Sequence, residues 1–238
     1  MSKMDRICLS CEHAANEVPA AYRRLFAENP SILFSHRAYD IGILEVAKRM
    51  AQLLRRPLFA CCATRLLIDA NRSLGHANLF SEFSRQLPQK DRDWLIRNLY
   101  RRYRESVTRH VRSQIRRNRR VFHLSLHSFT PVLHGQTRKA DIGILYDPGR
   151  KTETAAARAL QHILRDITGL RIRRNYPYRG TADGFTASLR KTHSGRAYLG
   201  IEIEINQAML RGDRFKAAQL AELICLALEQ IRIPAVMR

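Results

Sequence analysis

The sequence has no apolar run that approaches the ~20 residues of a membrane-spanning helix. Its first residues, 1–6, lead directly into a strand-like segment, without the apolar region of a secretory signal. It also has no internal repeat and no low-complexity linker. We therefore expect a soluble, cytoplasmic protein without a membrane partner, folded as one domain over residues 1–238. A chain of this length can bury a full core without disulfides or a structural metal.

Cysteine is scarce, and its pattern does not suit disulfides or a structural zinc site. There are five cysteines, an odd number, and the adjacent Cys61 and Cys62 are poor disulfide partners. Cys8 and Cys11 have C-x-x-C spacing, but no second C-x-x-C completes a four-thiolate site. We expect both to be buried strand residues, because a free cysteine behaves as a small hydrophobe.

Acidic residues are also few: 21 Asp and Glu stand against 42 Lys and Arg, which gives a formal net charge of +21. Such a field attracts polyanions, but it does not establish that binding one is the function. Residues 90–120 contain twelve Lys or Arg and three acids. This stretch is interpreted either as the solvated face of a helix or as a surface for weak nucleic-acid binding. Its aromatic residues, Trp94, Tyr100 and Tyr103, fall mostly at packing positions, so a stacking platform has little support.

Strand-like and helix-like segments alternate along the chain. Alternating apolar runs predict strands at 6–11, 121–129, 140–147 and 197–206, and a strand, turn and strand over 57–69. Apolar residues at helical spacing predict helices at 38–54, 91–117, 153–168 and 215–231. This order predicts an α/β fold of three layers, with a mostly parallel central sheet and helices on both faces.

Polar residues follow the predicted strands at the ends where a parallel α/β sheet binds its ligands. They are Glu12, His13 and Asn16; Asp69, Asn71 and Arg72; His127 and Ser128; Asp147; and Glu204 and Asn206. Each residue also has a structural interpretation. His13 could cap a turn, and one of Glu202 and Glu204, which share a strand face, could pair with an arginine. His123, inside a strand, is interpreted as a core histidine.

Taken together, these residue types predict a metal-dependent hydrolase that acts on an acidic amide. Zinc is bound by neutral imidazoles and carboxylate oxygens, and a nearby glutamate can take a proton from water. Arg65 and Arg72 flank "LLIDAN" and are candidates for binding a substrate carboxylate bidentately.

Six ordered motifs resemble those of the N-formylglutamate amidohydrolase family. They are "CEHAANEVP", "HRAYDIGI", "TRLLIDANRS", "LSLHSFTP", "DIGILYD" and "GIEIEIN", and they extend from residue 8 to about residue 210. The resemblance implies the phosphorylase/hydrolase-like α/β fold of the zinc-exopeptidase type. It also implies hydrolysis of a small acidic N-acyl amino acid, typically N-formylglutamate to formate and glutamate, with one Zn²⁺.

The resemblance also implies roles for individual residues. His13 and His127 correspond to the family's metal-binding histidines, Glu204 to its general base, and Asn71 and Arg72 to its substrate contacts. The wider superfamily has an H-x-x-E first motif whose glutamate binds zinc, but this chain has Asn16 at that position. Asp40, in "YDIG", is the preferred third ligand because a matching aspartate recurs in the family's second motif; Glu12, Asn16 and Glu17 are the alternatives. Asn16 and Ser128 are further candidates for the substrate pocket.

One rival hypothesis is a nucleic-acid-binding or polyanion-binding protein that keeps this scaffold without catalysis and uses the basic helix at 90–120. Bound metal and amidase activity would discriminate the two hypotheses. Neither the oligomeric state nor the hydrolysed acyl group follows from the sequence.

Overall fold

The computed structural model describes residues 6–117, 119–210 and 214–231. A six-stranded central sheet has the order β2-β1-β3-β8-β6-β7, and β4 and β5 form a separate small hairpin. The strands are β1 (Arg6–Cys11), β2 (Leu58–Ala60), β3 (Val121–Phe129), β4 (Val132–Leu133), β5 (Gln136–Thr137), β6 (Ile142–Leu145), β7 (Ile172–Arg174) and β8 (Tyr198–Asn206).

The sheet is mostly parallel, as predicted. β2, β1, β3 and β8 run in one direction, whereas β6 pairs antiparallel with β8 and β7 pairs parallel with β6. The central strands β3 and β8 are buried along their whole length, as expected for strands that are covered on both faces.

Helices cover both faces of the sheet, which confirms the three-layer prediction. They are α1 (Ile43–Leu54), α2 (Gln89–Leu95), α3 (Arg102–Arg116), α4 (Lys151–Thr168), α5 (Phe185–Thr192) and α6 (Arg214–Gln230). On one face, α1, α4 and α6 enclose an apolar core that includes Leu124 and Ile203. On the other face, α3 and α5 pack on Val121 and Tyr198. No helix among the described residues is both long enough and apolar enough to cross a membrane.

The predicted helix at 38–54 begins only at Ile43. Residues before it form a turn, and Gly42 has a φ of +79°, which favours glycine. The turn is relevant to function because it places Asp40 next to the first strand: the Asp40 amide donates to the His13 carbonyl oxygen at 3.0 Å. The predicted helix at 91–117 consists of α2, a π-helical segment Ile96–Arg101 and α3.

Two predictions about strands are wrong. The second strand predicted within 57–69 does not form: Leu66 and Leu67 lie in a turn, Ile68 follows it in irregular backbone, and all three are buried in a separate apolar cluster. β6 runs antiparallel to β8, so its carboxyl end points away from the ends of β1, β3 and β8. Asp147 therefore lies toward the amino-terminal end of β8, away from the carboxyl ends of β1, β3 and β8, and its amide donates a hydrogen bond to Glu153.

All five cysteines are free, and Cys8 and Cys11 are buried in β1, as predicted. His123 is a fully buried core histidine, also as predicted. Its ring nitrogens lie 2.7 Å from the Tyr198 hydroxyl and 2.7 Å from Ser10 Oγ.

Candidate active site

A cavity of about 160 Å³ lies at the carboxyl ends of β1, β3 and β8, between these strands and the loops beside them. Most of the predicted site residues line it. They are His13, Asp40, Arg65, Asn71, Arg72, His127, Ser128 and Glu204. Glu202, Tyr178, Arg179 and Asp183, which were not predicted as site residues, also line the cavity.

His13, Asp40 and His127 form a group that could hold a metal ion. Their potential ligand atoms lie within 4.8 Å of one another, and all three residues are buried. Asp40 Oδ2 lies 2.8 Å from His127 Nδ1 and 3.5 Å from His13 Nδ1. His13 Nδ1 is buried without a hydrogen-bond partner. A buried, unpartnered imidazole nitrogen that faces a second imidazole and a carboxylate fits the donor set that zinc prefers.

A carboxylate lies behind each of these histidines. His13 Nε2 is 2.7 Å from Asp69 Oδ1, and His127 Nε2 is 3.0 Å from Glu12 Oε2. Both rings therefore present Nδ1 to the centre of the group and Nε2 to an outer carboxylate. In metal sites this arrangement holds the ring orientation and increases the basicity of the ligand nitrogen.

Glu12 is deeply buried behind His127. Its Oε1 accepts a hydrogen bond from the Tyr103 hydroxyl at 2.6 Å, and its Oε2 accepts one from the Ser125 hydroxyl. Burial opposes ionisation, but the hydrogen bond and charge of His127 outweigh it and hold the pKa of Glu12 well below its usual range. Glu12 is therefore an ionised partner of the histidine rather than a member of the group around Asp40.

The other two alternatives for the third ligand lie elsewhere. The Asn16 side chain donates to the Leu33 carbonyl oxygen at 2.7 Å, and both Asn16 and Glu17 line a surface groove next to Val18. Asn16, predicted as a substrate-pocket residue, lies in this surface groove and does not line the cavity. Among the described residues, Asp40 is the carboxylate grouped with both histidines.

Glu204 lines the cavity without a partner for its buried Oε2 atom. Burial raises the pKa of Glu204 to about 7; the charges of Asp40 and Glu202 also raise it, while His127 opposes the shift. A carboxyl group with this pKa can both accept and donate a proton near neutral pH. The neighbouring Glu202 differs, because it accepts a hydrogen bond from the Thr186 hydroxyl.

Arg65 and Arg72 both reach the cavity, with different contacts. Arg65 donates to Asp69 Oδ2 at 2.9 Å and also lies 3.5 Å from Asp40 Oδ1. Arg72 donates through Nη1 to the Asp183 carbonyl oxygen at 2.8 Å, and its Nε is 3.9 Å from Asp69 Oδ2. Arg65 thus neutralises two acids of the site, whereas Arg72 makes fewer contacts with carboxylates.

Asn71 and Ser128 make hydrogen bonds that organise the walls of the cavity. Asn71 Oδ1 accepts from the Phe185 amide at 2.7 Å and so joins the loop after Asp69 to the start of α5. Ser128 Oγ donates to the Ile41 carbonyl oxygen at 3.0 Å, next to Asp40. Asn206, at the end of β8, donates to the Ala140 carbonyl oxygen instead of entering the cavity.

Sequence reasoning did not include three of the residues that shape the site. It placed Asp69 at a strand end but did not predict its contact with His13, and the segment before Asp69 forms no strand. Tyr178, Arg179 and Asp183 come from the loop between β7 and α5. The run "NYPYRGTADG" has the Pro and Gly content of a loop, but nothing in that composition places it over the sheet.

Comparisons with known proteins agree with this architecture. The family described as N-formylglutamate amidohydrolase matches residues 6–211 of the chain. The solved structure of a gene product from Agrobacterium tumefaciens is 28% identical with a TM-score of 0.81, over 94% of this chain and 90% of that one. The N-formylglutamate amidohydrolase from Ralstonia eutropha JMP134 is 18% identical with a TM-score of 0.72, over 95% and 92% of the two chains. No curated protein matches the chain.

Proposed function

The chain belongs to the N-formylglutamate amidohydrolase family and is an amide hydrolase, and we propose that it is zinc-dependent and cleaves N-formyl-L-glutamate to formate and L-glutamate. The observation that carries this proposal is the position of Glu204, a buried carboxylate without a partner on its Oε2, in the same cavity as His13, Asp40 and His127.

His13 and His127, through their Nδ1 atoms, and Asp40 would hold the zinc ion. When bound there, Zn²⁺ supplies a Lewis acid that polarises the amide carbonyl. Asp69 and Glu12 keep the two imidazoles in the orientation that metal binding needs, because each accepts from the outer ring nitrogen. Arg65 offsets part of the negative charge of Asp69 and Asp40.

Glu204 is the group that moves the proton. As the water oxygen adds to the formyl carbon, Glu204 accepts a proton from that water. It then delivers the proton to the amide nitrogen as the C–N bond breaks, so that formate and a free amine leave. This cycle needs a carboxyl group that is ionised before the reaction and protonated during it, which suits a pKa raised to about 7.

The charge and size of the cavity support a small acidic substrate. Arg72 and Arg179 line it, and the fork of a guanidinium matches a carboxylate. The hydrogen bond from Arg72 to the Asp183 carbonyl oxygen holds the guanidinium in place before substrate arrives. The volume of about 160 Å³ is smaller than the ~300 Å³ at the lower end of cavities for drug-sized ligands.

A matched panel of substrates tests the proposal. The zinc-loaded protein would be assayed with N-formyl-L-glutamate, N-formyl-L-glutamine, N-acetyl-L-glutamate and N-succinyl-L-glutamate. We expect the highest kcat/KM for N-formyl-L-glutamate, a decrease for the isosteric neutral glutamine compound, and a further decrease as the acyl group becomes larger. A preference for the neutral compound or for the succinyl group would contradict the assigned substrate.

A further inference from the structure

A second concave surface lies along α3, separate from the catalytic cavity. This basic groove has a volume of about 660 Å³ and shares no lining residue with the cavity. Its cationic lining includes Arg101, Arg109, Arg112 and Arg116, with the hydroxyl groups of Thr108 and Ser113 between them. The proposed amidase reaction uses none of these residues.

These arginines lie along one side of a continuous helical segment. Positions 101, 109, 112 and 116 are separated by eight, three and four residues, spacings that return to nearly the same helix face. At 1.5 Å per residue they extend over ~22 Å. The groove therefore presents a row of cations rather than a single point of positive charge.

The row is exposed, and no ion pair neutralises it among the described residues. Arg101, Arg109, Arg112 and Arg116 are exposed, and none has a carboxylate oxygen within 4.0 Å among the residues the structure describes. Glu105 is the one acid in the lining. The exposed Arg37, by contrast, pairs with Glu82. Like charges held close together without partners raise the energy of the folded chain, and an anionic ligand would relieve this.

We propose that the basic groove binds a single-stranded nucleic acid through its backbone phosphates, without reading the bases. Arginine forks bind phosphate oxygens bidentately, and hydroxyl groups between them can add further hydrogen bonds. A positively charged groove that follows the backbone is the common feature of proteins that bind single strands. A flexible strand can follow the floor of the groove, whereas a stiff duplex would touch only its rim.

The groove has no platform for stacking bases. Its one aromatic residue, Tyr100, is buried and donates its hydroxyl to the Arg72 carbonyl oxygen at 2.8 Å. Arg104 is also unavailable, because it is buried and donates to the carbonyl oxygens of Ala70 and Arg72. Binding is therefore carried by phosphate contacts and should not depend on base sequence.

Fluorescence anisotropy with a labelled twelve-nucleotide poly-U RNA tests the proposal. The groove variant changes Arg101, Arg109, Arg112 and Arg116 to Gln. The matched control changes Arg23, Arg24, Lys151 and Arg158 to Gln, which removes the same charge from exposed positions outside the groove. For four phosphate contacts, affinity of the unchanged protein should fall ~50-fold between about 50 and 200 mM salt.

We expect the groove variant to lose at least ~10-fold in affinity at low salt and most of its salt dependence, while the control loses less than ~3-fold. A poly-U RNA containing 4-thiouridine should cross-link to peptides from residues 101–116. Equal losses in the two variants, or cross-links elsewhere, would overturn the assignment. So would equal or tighter binding of duplex DNA or of polyglutamate. Both variants should retain amidase activity, so the result is independent of the proposed hydrolysis.

Discussion

Glu204 lies beside His127 in the central sheet, because β3 and β8 pair in parallel with these two residues in register. The pairing brings a potential base next to a potential metal ligand without any contribution from a mobile loop. The Oε2 of Glu204 is buried without a hydrogen-bond partner, an arrangement that costs stability. We therefore assign Glu204 a role in the reaction rather than in folding.

Replacing Glu204 by Gln should lower kcat for N-formyl-L-glutamate by about 10²–10⁴-fold, because the amide cannot accept the proton of water. Bound zinc, measured by atomic emission, and the melting temperature should change little. Glu202→Gln is the matched control: it lies two residues away on the same strand but already accepts the Thr186 hydroxyl. If Glu202→Gln lost turnover and Glu204→Gln did not, the base would be Glu202.

Tyr103→Phe should weaken zinc binding by about 10- to 100-fold, because it removes one of the donors that hold Glu12 behind His127. Competition with a chromophoric chelator measures this affinity directly. Tyr100→Phe, the same change one turn earlier, removes a hydrogen bond to the Arg72 carbonyl oxygen and should leave zinc affinity unchanged. Equal zinc affinities in the two variants would mean that Tyr103 serves packing alone.

Arg72→Lys should increase KM for N-formyl-L-glutamate by about 10- to 100-fold and change KM for N-formyl-L-glutamine by less than about 3-fold. Lysine keeps the charge but loses the fork that binds a carboxylate bidentately, a difference worth about 1.5–3 kcal/mol. Arg65→Lys provides the comparison. Arg65 pairs with Asp69 and Asp40, so that variant should impair both substrates equally. An equal effect of Arg72→Lys on both substrates would show that Arg72 is structural.

His123 should make the fold sensitive to acid. Burial lowers the pKa of His123 from 6.5 to about 4. The charge of Glu12 opposes this decrease in pKa, whereas the charge of Arg190 adds to it. Protonation then favours the unfolded chain, so the contribution of the neutral ring to stability is complete above about pH 6.5. It is lost progressively as the pH falls toward 4.

Urea unfolding of the protein and of His123→Gln measures this effect. Between pH 7 and pH 5 the free energy of unfolding of the unchanged protein should fall by about 2 kcal/mol more than that of the variant. Taking the difference removes the acid sensitivity of Glu12, Asp40 and Asp69, which both proteins share. Parallel losses would show that His123 does not titrate in this window.

The sequence predicted the parts of the site that follow the long buried strands. β1, β3 and β8 are buried strands in which apolar residues alternate with others, and His13, His127 and Glu204 lie at or just after their carboxyl ends and line the cavity. Asp40 was suggested by the family's second motif, and the structure places it with the two histidines. These residues were predictable because the local pattern shows where a strand lies and where it ends.

The rest depends on contacts between distant segments. The direction of β6 is set by its pairing with β8, and this pairing decides that Asp147 leaves the site. Leu66, Leu67 and Ile68 have the composition of a strand, but they are buried under loops and no sheet strand pairs with them. Asp69 reaches His13 across 56 residues, a contact that no local pattern encodes.

The central claim is that the amidase reaction requires one metal ion held by His13, Asp40 and His127. The direct measurement is a zinc titration of chelator-treated protein, in which bound zinc and formate released from N-formyl-L-glutamate are both recorded, with Asp40→Asn treated in parallel. We predict that formate release rises in proportion to zinc and saturates at one zinc per chain, while Asp40→Asn binds zinc weakly and releases little formate. Full activity in the metal-free protein, or unchanged zinc binding and activity in Asp40→Asn, would contradict the account.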